Sequence, residues 1–194
     1  MISTNVVPPY RVSLFAALAE ELQADGDQLT VIAWTPDMVG RHWAVDAQKC
    51  GFELHYAGRK PVGADTAVPR GLLPALARML STISCDALIS TGFGPESMLA
   101  AAIGRRRAIP MLLWSEAIGG SGDYDDNPLR LIQRRVLGRA GAGMVVPGAA
   151  AAAYSRRFSS NLLTLRNTID LDLFRPRHEP EPRASYVLTV GQLQ

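Results

Sequence analysis

A chain of 194 residues with 47% apolar side chains can bury the core of one sizeable domain, which excludes disorder throughout. Its 20 basic and 18 acidic residues leave a formal charge of +2, so no nucleic acid is expected as a main partner.

Ile2 to Asn5 reads as a very short strand. Pro8 and Pro9 restrict the backbone and lack amide donors, so Val6 to Tyr10 reads as a turn. Arg11 to Ala24 has helical periodicity: Val12, Phe15, Ala19 and Leu22 share one face, Glu20, Glu21 and Gln23 the other, and Asp25-Gly26 ends it. Leu29 to Trp34 is a compact β-branched strand. Residues 36 to 70 hold one or two short strands, near Trp43 and from Phe52 to Tyr56, and a long loop with Gly58, Pro61, Gly63 and Pro69. A helix over Gly71 to Leu80 precedes a strand over Asp86 to Ser90. Pro95 opens the next helix where a missing amide is harmless, and Glu96 adds favourable charge in its first turn. That helix is expected to run to about Ile103 and end at Gly104-Arg-Arg-Arg107. A strand over Ile109 to Trp114, an acidic loop over Gly119 to Asn127 and a helix over Pro128 to Leu137 follow. The last elements are a strand at Gly143 to Val146, a helix at Ala149 to Phe158 and a strand at Leu162 to Leu165. Alternating helices and nearly continuous apolar strands predict a parallel sheet covered on both faces.

Beyond these, residues 1–175 are expected to form one domain and 176–185, rich in Pro, Arg and Glu, a linker. Tyr186-Val-Leu-Thr-Val-Gly-Gln-Leu-Gln194 reads as a strand entering a glycine turn, the first strand of a second domain. The first residues have neither a basic n-region nor an apolar h-region, and no run approaches the roughly 18 apolar residues of a membrane span. Cys50 and Cys85 lack metal or disulfide spacing and read as buried free thiols in a reducing compartment. The expected location is cytoplasmic, with a peripheral position on the inner face of the membrane left open.

Ligands of open parallel sheets bind beyond the C-terminal strand ends, so the loops leaving the strands are the candidate sites. In Asn5 to Arg11 the prolines fix a bend, and Arg11 could reach a phosphate or carboxylate at a helix start; the alternative is a surface pair with Glu20 or Glu21. Thr91-Gly92-Phe93-Gly94 has small residues where a ligand could approach backbone, or simply a tight strand-to-helix turn. Glu116 could take a proton from a hydroxyl, and Trp114 could stack on a sugar-like face or be buried structure. Asp123, Asp125 and Asp126 read as an exposed lid rather than a metal site. His42, His55 and His178 share no ligand spacing. No phosphate-loop or dinucleotide fingerprint is present, and no cofactor is expected. The arginines at 105–107 and at 130, 134, 135 and 139 read as two basic patches, solvated or in contact with anionic lipid.

Pro8-Pro-Tyr-Arg-Val-Ser-Leu-Phe-Ala-Ala-Leu18 resembles the opening of family 4 glycosyltransferases of the two-domain GT-B type. Pro147-Gly-Ala-Ala-Ala-Ala-Ala-Tyr154, Leu165-Arg-Asn-Thr-Ile-Asp-Leu-Asp-Leu-Phe174 and Tyr186-Val-Leu-Thr-Val-Gly-Gln-Leu193 are similar to later stretches of that family, with Asn167, Asp170 and Phe174 in place. The resemblance implies a Rossmann-like amino-terminal domain that binds the acceptor, and a carboxy-terminal domain, with its acidic donor motif, that holds a nucleotide sugar. It implies retaining transfer to a hydroxyl of a saccharide or lipid-linked acceptor, with Asn5 to Arg11, Tyr10 among them, bordering the cleft and Thr91, Gly92, Phe93, Gly94 and Glu116 facing the acceptor. The residues themselves, not the resemblance, make Glu116 the catalytic candidate and Trp114 a substrate-binding one. Where some members carry a histidine after the strand, this chain has Trp114-Ser115-Glu116. Arg166 stands in place of a common proline and Gln192 in place of a common arginine. The chain is expected to be inactive alone. The alternative is a non-catalytic acceptor- or partner-binding subunit of a split transferase; another GT-B enzyme such as a nucleotide-sugar epimerase is a third reading.

Overall fold

The structure, a computed structural model, describes residues 1–37, 45, 50–59, 71–118 and 127–168. Its strands are three or four residues long: β1 (Ile2–Thr4), β2 (Thr30–Ala33), β3 (Glu53–Tyr56), β4 (Leu88–Thr91), β5 (Met111–Trp114), β6 (Gly143–Val146) and β7 (Leu162–Thr164). Between them lie α1 (Pro9–Ala24), α2 (Leu72–Thr82), α3 (Pro95–Arg107), α4 (Pro128–Ala140) and α5 (Ala149–Ser155). All pairings are parallel, in the order β3-β2-β1-β4-β5-β6-β7. The chain builds outward from β1 through β2 and β3, then returns to place β4 on the other side of β1. The loops leaving β1 and β4 therefore diverge, and their gap is the topological switch point of a doubly wound sheet.

Side-chain alternation along each strand decides which helix it meets. Val31 and Ala33 of β2 and Trp114 of β5 face α1, where Phe15 and Ala19 are buried. Ile32 and Met111 point the other way, against Leu76 and Leu80 of α2 and Ala100 and Ile103 of α3. Leu113 and Met144 on that second face meet Leu137 of α4 and Tyr154 of α5. Phe15 meets the rings of Phe52 and Trp114 edge-on, with centroids 5.8 and 6.2 Å away. Burying an aromatic of this size stabilises by about 1.5–3 kcal/mol. The result is an α/β, Rossmann-like parallel sheet with helices on both faces, as the alternating pattern predicts.

Several boundaries differ from the sequence reading. Helix α1 begins at Pro9 rather than Arg11, because Pro9 occupies the first helical position, where no amide is needed, and Pro8 is the N-cap. Arg11 therefore lies inside the first turn. Helix α3 does not end near Ile103. Gly104 lets it pass the Ile109 carbonyl, where an added Cβ would sit 3.2 Å from the oxygen, and Ala108 stops it at φ 54°. The following Arg105-Arg106-Arg107 falls at the negative end of the helix dipole. Arg107 is not part of a free patch: its Nη1 donates to the Leu80 and Ile83 carbonyls at 2.6 and 3.0 Å, capping the end of α2. Helix α4 runs on to Ala140, whereas α5 closes at Ser155. Cys50 is buried and Cys85 half-buried. The expected strand near Trp43, the acidic loop, the linker over 176–185 and the strand over 186–194 lie outside the described residues, as do Asp170, Phe174, His42 and His178.

Candidate functional site

The site is built from four strand exits at one edge of the sheet. After β1, the carboxamide oxygen of exposed Asn5 accepts from the Val6 amide at 2.9 Å and shapes the turn into α1. Val6 and Val7 are buried, which pins that turn to the core. Tyr10 is 43% exposed at the start of α1, and Arg11 beside it is only 7% exposed. A cation in the first turn of a helix opposes the helix dipole unless an anion lies near. The anion is Glu116, two residues beyond β5: Arg11 Nη2 donates to its Oε1 at 2.5 Å. The surface pairing with Glu20 or Glu21 is thus not what Arg11 makes. Its guanidinium also lies 4.9 Å from the centre of the Trp114 ring. Asn167, three residues past β7, donates its Nδ2 to the same Glu116 oxygen at 3.4 Å.

Trp114 is 1% exposed, between Phe15 and Arg11, so it is core and offers no ring face to a sugar. The stacking role expected of it gives way to the buried alternative, because its position at the end of β5 points it toward α1. It touches the site through Arg11.

The loop after β4 is shaped by Glu96. Gly92 holds φ 82° and donates its amide to the Trp114 carbonyl at 2.9 Å. An added Cβ on Gly94 would lie 2.2 Å from both carboxylate oxygens of Glu96. Glu96 is 5% exposed at the start of α3, where its own amide and that of Gly94 face the carboxylate while its Oε2 is buried without a hydrogen-bond partner among the described residues. Burial pushes its pKa up, and the two amide hydrogen bonds oppose that shift. Gly94 therefore makes room for a protein carboxylate. Ser97 ties the loop down, bonding Ser90 Oγ at 2.9 Å and donating to the Thr91 and Gly92 carbonyls.

Gly92, Phe93, Gly94 and Glu116 come together with Gln133 and Arg130 around one open cleft of about 380 Å³. Asn5, Tyr10, Arg11 and Trp114 do not line it, nor does Thr91, which sits half-buried at the strand end; Arg11 reaches the cleft only through Glu116. Gln133 donates to the Phe93 carbonyl at 2.7 Å. Arg134, expected on a solvated face, is 4% exposed: it donates to the Tyr154 hydroxyl and lies over the Phe93 ring at 5.5 Å. This α4 wall lies outside the strand-exit loops, where the ligands of a parallel sheet are expected. The signal was present in the spacing of Arg130, Gln133 and Arg134, which shares one helix face. The arrangement can orient a hydroxyl-bearing ligand beside a carboxylate whose position is fixed by a buried guanidinium.

No protein-family model matches the sequence, and no curated relative matches it. Among solved structures the chain is similar to MurG of Acinetobacter baumannii, at 14% identity and TM-score 0.45, over 78% of this chain and 41% of that one. It is similar to LpCGTa, solved in complex with UDP, at 15% identity and TM-score 0.45, over 89% and 54% of the two chains. A third is UDP-N-acetylglucosamine 2-epimerase from Rickettsia bellii, at 16% identity and TM-score 0.42, over 80% and 41%. The chain thus spans 41% to 54% of the length of these proteins.

Proposed function

We propose that this chain is the acceptor-side domain of a two-domain, GT-B-type glycosyltransferase that moves a sugar from a nucleotide-sugar donor to a hydroxyl of a saccharide or lipid-linked acceptor. One observation carries the reading. The stretch beginning Pro8-Pro-Tyr-Arg11 and the stretch around Asn167 both resemble family 4 glycosyltransferases, and their Arg11 and Asn167 converge on one carboxylate oxygen of Glu116. That point lies at the strand exits of a doubly wound sheet, where such sheets bind ligands. In this reading the acceptor lies in the cleft beside Gly92, Phe93 and Gly94. Glu116 accepts the proton of the attacking hydroxyl, while Arg11 and Asn167 hold it in place. The donor is bound by a second domain. Closure of the two domains orients the reactants and excludes water.

The test uses the full product of the natural gene, a panel of nucleotide sugars and release of the nucleoside diphosphate as readout. Glu116→Gln is expected to lower kcat by roughly 10²-fold or more. Residues 1–194 alone are expected to turn nothing over. An unchanged kcat removes Glu116 from the chemistry, and turnover by the isolated chain overturns the division of labour between two domains.

A further inference from the structure

Charge is segregated along the chain. Seven of its 20 basic residues and none of its 18 acidic residues lie between positions 127 and 168, so the remainder is net acidic. This stretch contains α4, whose buried face is Leu137, Gly138 and Arg134. Its opposite face is open: Leu129 is 76% exposed, Ile132 56% and Val136 48%. Their spacing of three and four residues makes one apolar stripe along the helix. Arg135 and Arg139 run beside it. With Arg156 and Arg157 at the end of α5 they line an open concavity of about 420 Å³ at the far end of the sheet from the candidate site.

We propose that this outer face of α4 docks on an anionic phospholipid surface. A 13-residue helix is too short to cross a bilayer, but it can lie in the interface with its apolar stripe buried and its arginines at headgroup level. A second copy of the chain fits the face poorly, because a two-fold pairing would set arginines against arginines. A nucleic acid would reward the arginines but leave the apolar stripe against a phosphate backbone. A lipid surface satisfies both. The stripe starts beside the cleft, since Arg130 and Gln133 of the same helix line it, so a docked α4 holds the cleft at the membrane boundary. The arginines at 105–107 lie on α3 and do not line this concavity.

The inference does not rest on the transfer reaction, and its test involves no sugar donor, so either can fail alone. The probe is co-sedimentation of the purified protein with vesicles of phosphatidylcholine, with and without an equal part of phosphatidylglycerol. Binding is expected only with the anionic lipid and is expected to weaken as salt rises. Arg135→Gln combined with Arg139→Gln is expected to weaken it roughly 25-fold, about fivefold per arginine. Leu129→Ser combined with Ile132→Ser is expected to weaken it on the order of tenfold or more. Arg105→Gln combined with Arg106→Gln is the control and should change it less than about twofold. Failure of the unaltered protein to sediment with anionic vesicles overturns the proposal. So does an equal loss from the Arg105 and Arg106 control. A single-stranded oligonucleotide bound as tightly, with no effect of the serine changes, would make the face a general polyanion surface. A dimer broken by the serine changes, with no vesicle binding, would give the face to a second copy.

Discussion

Two buried charges at the residue scale have opposite fates. Arg11 meets an opposite charge from the loop after β5, while Glu96 faces the amides of its own turn and keeps one oxygen, Oε2, buried without a hydrogen-bond partner among the described residues. Burial makes the stability that Glu96 contributes depend on pH. Its folded pKa is raised above the ordinary 4.5, so the folded state binds its proton more tightly than the unfolded state does. The protonated carboxyl is fully tolerated below 4.5. As pH rises from 4.5 through the raised folded value, the fold loses stability to the buried charge. Glu96→Gln keeps an acceptor for the two amides without the charge. Its urea midpoint, measured against pH, is therefore expected to gain on that of the unaltered protein as pH rises across this window. Parallel curves would show that Glu96 titrates equally in both states.

Close approach governs at the element scale. Helix α4 lies so near the turn after α5 that an added Cβ on Gly138 would fall 2.6 Å from the Phe158 carbonyl oxygen. Gly138→Ala forces backbone apart and is expected to destabilise by about 1–3 kcal/mol, read from thermal or urea unfolding. Unfolding at the unaltered midpoint would mean that the turn yields freely. The same kind of contact explains which elements were legible in the sequence. β6 was readable to the residue because its four apolar positions are buried on both sides. Helix α3 was misjudged because Gly104 and the arginines after it look like a stop, whereas Gly104 fits beside a carbonyl that only the fold brings near. The candidate site divides likewise. The strand exits could be named in advance because a parallel sheet presents its loops at one edge. The partnership of Arg11 with Glu116 could not, because 105 residues separate them and each has nearer residues of opposite charge.

On the scale of the whole molecule, all but one of the strand-to-strand joins among the described residues connect strands that are consecutive in the chain. The exception is β1 with β4, which pairs Ile2 with Ile89 and Ser3 with Ser90. The switch point that opens the cleft is thus also the seam where the two wings of the sheet meet. Closing so long a loop comes before the contacts that reward it, so the seam belongs to the barrier of folding. Ile2 is 1% exposed at that seam, and Ile2→Val is expected to cost about 0.5–1.5 kcal/mol, mostly as slower refolding in a chevron. A change confined to the unfolding limb would place the seam after the barrier. The geometry that leaves room for a ligand thereby sets the pace at which the protein reaches its native state.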